Sequence, residues 1–125
     1  MLTGGPDVVR DTALGLGGRR TGKVRDVYAL PAADGGARLL IVATDRISAF
    51  DVVMPTAIGG KGRVLTAIST RWLRFISEQG IAGTHLLSED VSGEVSMSPE
   101  DRALVEGRAM VCRAPVHARL CCARC

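Results

Sequence analysis

The sequence predicts an α+β fold in which an antiparallel sheet packs with helices. Residues 19–30 alternate between two faces of a strand, and a turn at 31–36 leads into a second apolar strand at 38–44. This pattern is typical of a β-hairpin. Residues 63–78 instead carry apolar side chains at intervals of three and four, as an amphipathic helix does.

The composition is that of an ordinary globular domain. A chain of 125 residues, 46% hydrophobic and 23% charged, can bury a core without disulfides or metal. Its net charge of +3 does not by itself imply a nucleic-acid partner. No apolar run approaches the roughly 20 residues of a membrane span. No signal peptide is evident, so we expect a cytoplasmic protein with reduced thiols.

The first half of the chain predicts an arm followed by the hairpin. Residues 1–18 are rich in glycine and small side chains, which favours a loosely packed arm. In the strand at 19–30, one face carries Val24, Asp26 and Tyr28. In the partner strand the aliphatic run 39–42 is continuous, which predicts burial on both faces.

The predicted helix lies in the middle of the chain. A short strand at 51–54 ends at Pro55, and the helix follows at 63–78. Its apolar face is formed by Leu65, Ile68, Trp72, Phe75 and Ile76. Gly80 follows the last turn, where a left-handed residue commonly ends a helix.

The last third of the chain predicts one more helix between two strands. Residues 86–87 favour a short strand. Ser98 is a good N-cap, with Pro99 at the first helical position and acidic residues after it. Gly107 ends that helix, and residues 109–112 form an apolar strand.

The first candidate site is the polar cluster that follows the buried strand. Thr44, Asp45, Arg46, Ser48 and Asp51 bring two carboxylates, a guanidinium and two hydroxyls into one loop. Active sites are often loops held on a rigid scaffold. A solvated turn with a local Asp45–Arg46 pair explains the same pattern equally well.

The second candidate is the turn at the head of the hairpin. Gly22 lets a backbone approach a ligand closely, and Lys23 and Arg25 leave the same face of the strand. Both side chains suit phosphate groups, although the P-loop spacing is absent. Taken alone, the pattern is also that of an exposed basic hairpin.

The third candidate is Lys61, which lies between Gly60 and Gly62 just before the helix. Helix N-terminal amides and the helix dipole favour an anion there. A flexible glycine linker is the alternative. Lys23 and Lys61 are the only lysines in the chain, and both stand beside glycine.

The C-terminal tail contains the remaining chemical groups. His117, Cys121, Cys122 and Cys125 lie within nine residues of one another. Structural zinc needs about four ligands on a closed scaffold. Because these residues end the sequence, we interpret them as a frayed terminus and predict no metal site.

Three motifs together resemble the N-terminal part of the SAICAR synthetase family. They span residues 22–28, 39–51 and 60–65, and the similarity extends over about 19–113. The resemblance implies an ATP-dependent ligase of purine biosynthesis that joins carboxyaminoimidazole ribotide to L-aspartate. ATP would activate the carboxylate as an acyl phosphate, with Mg²⁺ bridging the phosphates. It implies small-molecule substrates, and no nucleic acid or membrane.

The same resemblance implies roles for particular residues. The hairpin would cover the triphosphate, and the segment after residue 110 would hold adenine. The implied nucleotide-binding residues are Gly22, Lys23, Val24, Arg25, Val111 and Arg113. The implied catalytic residues are Asp45, Arg46, Ser48, Asp51 and Lys61. The family's N-terminal region is similar to a protein-kinase small lobe, in agreement with the predicted sheet and helix.

The resemblance also divides the chain. It implies a nucleotide-binding domain at 19–114, after the arm at 1–18, and a divergent tail at 115–125. The tail departs from the family pattern at His117, and the family's second domain is missing, so we expect a truncated or frame-shifted chain. Uncovered apolar faces at 109–112 and around Trp72 would then favour self-association. The alternatives are a non-catalytic ATP-binding module and a basic binding domain without nucleotide.

Overall fold

The computed structural model of the protein describes residues 7–33 and 36–115. The strands are β1 (Arg20–Thr21), β2 (Arg25–Ala33), β3 (Gly36–Ala43), β4 (Ser48–Ala49), β5 (Val52–Val53), β6 (Leu86–Ser88) and β7 (Ala109–Arg113). The helices are α1 (Lys61–Glu78), α2 (Val91–Glu94) and α3 (Pro99–Val105). One antiparallel sheet has the order β1-β2-β3-β7-β6, and β4 pairs with β5 separately. The predicted α+β class is confirmed.

The central hairpin provides much of the hydrophobic core. In β2 the side chains of Asp26, Tyr28 and Leu30 are buried, and Tyr28 lies opposite Leu40 in β3. Val42 is also fully buried, whereas Leu39 and Ile41 are half-buried, so the prediction that residues 39–42 are buried on both faces is correct for one face only. Leu39 and Ile41 lie on the opposite face of the sheet, and α1 packs against β3. The turn residues 34–35 lie outside the described residues.

Strand β7 is buried between two neighbours. It pairs with β3 on one side and β6 on the other, and residues 109–112 are all buried. The expectation that this strand is left uncovered is therefore wrong. Because Cys112 lies inside the sheet, burial raises the pKa of its thiol to about 11.

The N-terminal segment is packed more tightly than its composition predicts. Val9, Thr12 and Leu14 are buried, and the Thr12 hydroxyl donates to the Asp26 carboxylate over 2.6 Å. The same hydroxyl lies 2.8 Å from the Tyr28 hydroxyl. A loosely packed arm is thus the wrong description of this part of the segment. Polar contacts to β2 hold it, and hydrophobic periodicity does not report such contacts.

Helix α1 lies on the sheet through small residues. It begins at Lys61, two residues earlier than predicted, and its buried residues are Gly62, Thr66 and Thr70. A Cβ on Gly62 would lie only 2.1 Å from the Ala43 carbonyl oxygen, so glycine permits this approach. None of the described helices has the length and apolarity needed to cross a lipid bilayer.

The predicted apolar face of α1 points mainly to solvent. Leu65 is 38% exposed, Ile68 51%, Trp72 60% and Phe75 43%. The expectation that the region around Trp72 is uncovered is confirmed. The periodicity identified the helix correctly, but the side that packs on the sheet is the glycine and threonine side.

Candidate functional site

Three loops meet at one end of the large sheet. In the ladder, Arg25 lies opposite Ala43, and Val42 lies opposite Ala109. The turn before β2, the loop after β3 and the segment before β7 therefore share this end. Gly62, at the start of α1, also touches Ala43 there. The fold thus brings together the three candidate motifs that the sequence places far apart.

Asp45 is the buried centre of this end of the sheet. Its Oδ1 accepts hydrogen bonds from the Gly62 amide at 2.8 Å and from Arg108 Nη1 at 3.1 Å. Its Oδ2 accepts from the Val9 amide at 2.8 Å. Burial opposes ionisation, but these donors outweigh it and hold the pKa of the Asp45 carboxyl below its usual range. Asp45 has no exposed surface, so its carboxylate does not face solvent.

Arg46 and Thr44 donate hydrogen bonds to the backbone of the turn at residues 22–25, the glycine turn. The Arg46 guanidinium donates to the carbonyls of Gly22 at 3.0 Å and Lys23 at 3.1 Å. The Thr44 hydroxyl and amide both donate to the Val24 carbonyl, at 2.8 and 3.1 Å. Three successive carbonyls of the turn are therefore directed towards this loop.

The geometry of the peptide bond then orients the amides of the turn. In a planar trans peptide the N–H points opposite to the preceding C=O. By this argument the amides of Lys23 and Val24 point away from Arg46, whereas Arg25 pairs with Gly22 across the turn, where the Gly22 amide donates to the Arg25 carbonyl at 2.7 Å. Successive backbone N–H groups that point to one side form a concavity that suits anions.

Lys61 and Arg25 are two further cations in or close to this turn. Lys61 is half-buried at the first position of α1, and its Nζ lies 3.4 Å from the Thr44 carbonyl oxygen. Burial lowers the pKa of the Lys61 ammonium, and the nearby charges of Arg25 and Arg46 lower it further, while Asp45 opposes this. Positive charges held together in a partly buried site are stabilised when an anion binds between them.

A small hairpin, β4–β5, lies beside the glycine turn. Phe50 and Asp51 form its two-residue loop, both with positive φ, at 49° and 65°. The Phe50 side chain is fully exposed, and a bulky residue is uncommon in this backbone conformation. Asp51 is ion-paired with Lys23, and the hydrogen bond from Lys23 holds the pKa of the Asp51 carboxyl below its usual range. Ser48 is half-buried in β4.

The two candidates on β7 lie away from this cluster. Val111 is fully buried in the core and pairs with Leu40, so its side chain does not face solvent. Arg113 is exposed at the far end of β7, opposite Arg38. From Ala109 to Arg113 the strand rises by roughly 13 Å.

Two charged residues of the site were missed from the sequence. Asp26 accepts from Arg46 Nη2 at 2.9 Å and is fully buried. Arg108 is the buried partner of Asp45. Asp26 shares a strand face with Tyr28, and a carboxylate on a face predicted to be buried is a signal for a cationic partner. Arg108 has only a weak signal, its position just before an apolar strand.

The described residues offer no preformed metal site. Within 7–33 and 36–115, no three His, Cys, Asp or Glu side chains lie close enough to hold an ion. The predictions for His117 and the three tail cysteines lie outside the described residues.

Comparison with known proteins identifies the family. A family model described as SAICAR synthetase matches residues 19–119. The phosphoribosylaminoimidazole-succinocarboxamide synthase of Syntrophobacter fumaroxidans is 46% identical over 110 residues, covering 87% of this chain and 34% of the relative. The enzyme of the same name from Geobacter sulfurreducens is 48% identical over 98 residues, covering 78% and 30%. The chain thus spans about a third of the length of these curated relatives.

Solved structures agree with the sequence comparison. A SAICAR synthase matches with a TM-score of 0.65 and 32% identity, covering 87% of this chain and 36% of the other. A SAICAR synthase from Saccharomyces cerevisiae, solved in complex with SAICAR, matches with a TM-score of 0.61 and 32% identity over 90% of this chain and 36% of that one. The fold and its gathered loops define an α+β domain with a basic site at one end of its sheet. The chain belongs to the SAICAR synthetase family.

Proposed function

We propose that the chain is the nucleotide-binding N-terminal part of an enzyme that uses ATP to join carboxyaminoimidazole ribotide to L-aspartate. The products would be SAICAR, ADP and phosphate. Family membership supports the reaction class. The observation that carries the nucleotide role is the set of hydrogen bonds from Arg46 and Thr44 to the carbonyls of Gly22, Lys23 and Val24 in the glycine turn. Amides of Lys23 and Val24 that point away from these contacts would suit phosphate oxygens.

The triphosphate would be bound between this turn and the start of α1. Lys23 and Arg25 contribute charge from the turn, and Lys61 contributes charge from the helix N-terminus, where the dipole also favours an anion. Burial lowers the pKa of the Lys61 ammonium, so an anion bound beside Lys61 would favour its charged form. Mg²⁺ would arrive with the nucleotide, because it keeps several waters and binds mainly through substrate phosphates.

The remaining candidates divide into scaffold and surface roles. Asp45 and Arg46 are buried and hydrogen-bonded, so we assign them to holding the loops that contact substrate. Ser48 and Asp51 lie on the β4–β5 hairpin beside Lys23, and we assign them to the wall towards the second substrate. In this proposal Asp51 exchanges its partner Lys23 for substrate when the triphosphate binds.

The adenine would lie along the far end of β7. The rise of roughly 13 Å from Ala109 to Arg113 suits a nucleotide extended along the strand. Arg113 is exposed there, whereas the buried Val111 would support the surface from within the core.

Titration calorimetry with ATP and Mg²⁺ tests the nucleotide role. Lys23→Ala and Lys61→Ala should each weaken binding, because one charge-assisted phosphate contact contributes about 1.5–3 kcal/mol, roughly tenfold to a hundredfold in Kd. Arg102→Ala removes the same charge from an exposed position on α3 and should leave Kd unchanged. Equal affinities for all four proteins would overturn the assignment.

A second candidate is a nucleotide-binding module without catalysis of its own. The short coverage of the relatives, about a third of their length, favours this for the chain by itself. An assay with ATP, Mg²⁺, L-aspartate and carboxyaminoimidazole ribotide tests whether the isolated chain has catalysis of its own. We expect ATP binding without SAICAR formation by the isolated chain, and enzyme-like turnover would contradict the module.

A further inference from the structure

Helix α1 begins without a cap of its own. Its N-cap residue, Gly60, has a left-handed backbone with φ of 79° and no side chain to accept a hydrogen bond. No acidic residue lies in the first turn. The first amides of a helix need acceptors from elsewhere. Here the Gly62 amide donates to Asp45 Oδ1, which lies 17 residues earlier in the chain.

Asp45 is in turn held by Arg108. Both side chains are almost completely buried, and Arg108 Nη1 donates to the same Oδ1 that accepts from Gly62. The Arg108 backbone carbonyl also accepts from the Ala43 amide at 2.8 Å, which fixes the residue against β3. Arg108 is the only cation within 4 Å of the Asp45 carboxylate among the described residues.

From this geometry we infer that Arg108 is a positioning residue for Lys61. It acts through Asp45, which holds the first turn of α1 and so fixes where the Lys61 ammonium stands. The inference rests on the proposed function for the phosphate role of Lys61, but the placement of Lys61 is a separate physical statement. Among the described residues, Nε and Nη2 of Arg108 have no hydrogen-bond partner, so the contact to Asp45 uses only Nη1.

The charge environment of Lys61 makes the inference measurable. Burial lowers the pKa of the Lys61 ammonium, and the charged groups that act on it are Asp45, Arg25 and Arg46. Because Arg108 is itself a positive charge bonded to Asp45, exchange of the Gly62 amide is the readout that reports the position of the helix turn directly. If the turn loosens, Lys61 gains water, and the pKa of its ammonium rises towards the ordinary lysine value of 10.5.

The test is an NMR titration of the full chain labelled with ¹³C-lysine. Wild type contains only Lys23 and Lys61, so its two signals are assigned with a Lys23→Arg variant. In Arg108→Ala we expect the pKa of Lys61 to rise while that of Lys23 stays constant, and the Gly62 amide to exchange faster with solvent. Unchanged Lys61 titration and Gly62 exchange in a folded variant would overturn the inference. Equal shifts of both lysines would also overturn it, since they would indicate general loosening.

Arg108→Lys keeps the test decisive if Arg108→Ala does not fold. One ammonium can replace the single Nη1 contact, so Lys61 titration and Gly62 exchange should match wild type, with one additional lysine signal. A folded Arg108→Lys protein in which both readouts change would contradict the inference. None of these measurements uses ATP, so the absence of ATP binding would overturn the proposed function and leave the placement of Lys61 intact.

Discussion

The two sides of helix α1 differ in a way that polarity alone does not predict. At its N-terminus, Gly62 meets a buried layer that contains the charged residues Asp45, Arg46 and Arg108. Along its outer face, large apolar residues such as Ile68 and Trp72 are more than half exposed. The charged groups are thus inside the molecule, and much of the apolar surface is outside.

The buried charged layer and the exposed apolar face therefore depend on different interactions. Buried charges persist because their partners are fixed in place, and the loss of one partner leaves the other uncompensated. The outer apolar face contributes less to the fold of this chain, since roughly half of its side-chain surface stays in contact with water. We therefore expect conservative changes in the buried layer to be severe and drastic changes on the outer face to be mild.

The largest expected effect follows from removing the charge at the centre of the buried layer. The Asp45 carboxylate accepts from three donors, two backbone amides and the Arg108 guanidinium. Asp45→Asn therefore places its own NH₂ group against a donor and leaves Arg108 uncompensated. We expect a loss of roughly 3–5 kcal/mol of unfolding free energy, measured by urea denaturation. Asp51→Asn is the matched control, because that carboxylate is exposed and Asn accepts its positive φ. Equal urea midpoints for the two variants would contradict the comparison.

The next effect concerns the close approach of α1 to β3. Gly62→Ala improves intrinsic helix propensity, yet the added Cβ would meet the Ala43 carbonyl at 2.1 Å. We expect destabilisation of about 1–3 kcal/mol, typical of overpacking. Gly17→Ala is the control, since no atom lies within 4 Å of its Cβ position, and it should be neutral or slightly stabilising. A Gly62→Ala protein as stable as wild type would mean that the helix is free to shift.

The pH dependence of stability should report the same layer. The pKa of Asp45 is lowered in the folded protein, so its contribution is complete above its unfolded pKa of about 3.9. That contribution is lost as the pH falls further through the folded pKa. Wild type should therefore lose stability more steeply below about pH 4 than Asp45→Asn. Parallel unfolding curves for the two proteins between pH 4 and pH 2 would show that Asp45 is not preferentially stabilised as a carboxylate.

The smallest effect on stability is expected on the outer face of α1. Trp72→Gln replaces a side chain that is 60% exposed and forms an edge-to-face pair with Phe75, so unfolding free energy should fall by only about 0.5–1.5 kcal/mol. Self-association should nevertheless fall, because exposed apolar surface favours it. Sedimentation in the presence of reductant measures this without disulfide-linked species, and the exposed Arg71→Gln is the matched control. A wild-type chain that sediments as a monomer would contradict this prediction.

Local patterns in the sequence predicted much of the fold correctly. Strands β2 and β3 and the cap at Ser98 all formed as expected, and the Ser98 hydroxyl accepts from the Asp101 amide at 3.1 Å. These signals are local, because each depends on residues within a few positions of one another. The same holds for the motifs that identified the family, which lie in continuous segments.

Only the tertiary structure decided which residues are inside. The donors to Asp45 lie 17, 36 and 63 residues away, so no local pattern shows that this carboxylate is enclosed. Likewise, periodicity identified α1, but the approach that Gly62 permits decided which side packs on the sheet. Burial depends on which surfaces meet and which polar groups find partners there, and both are properties of the folded chain.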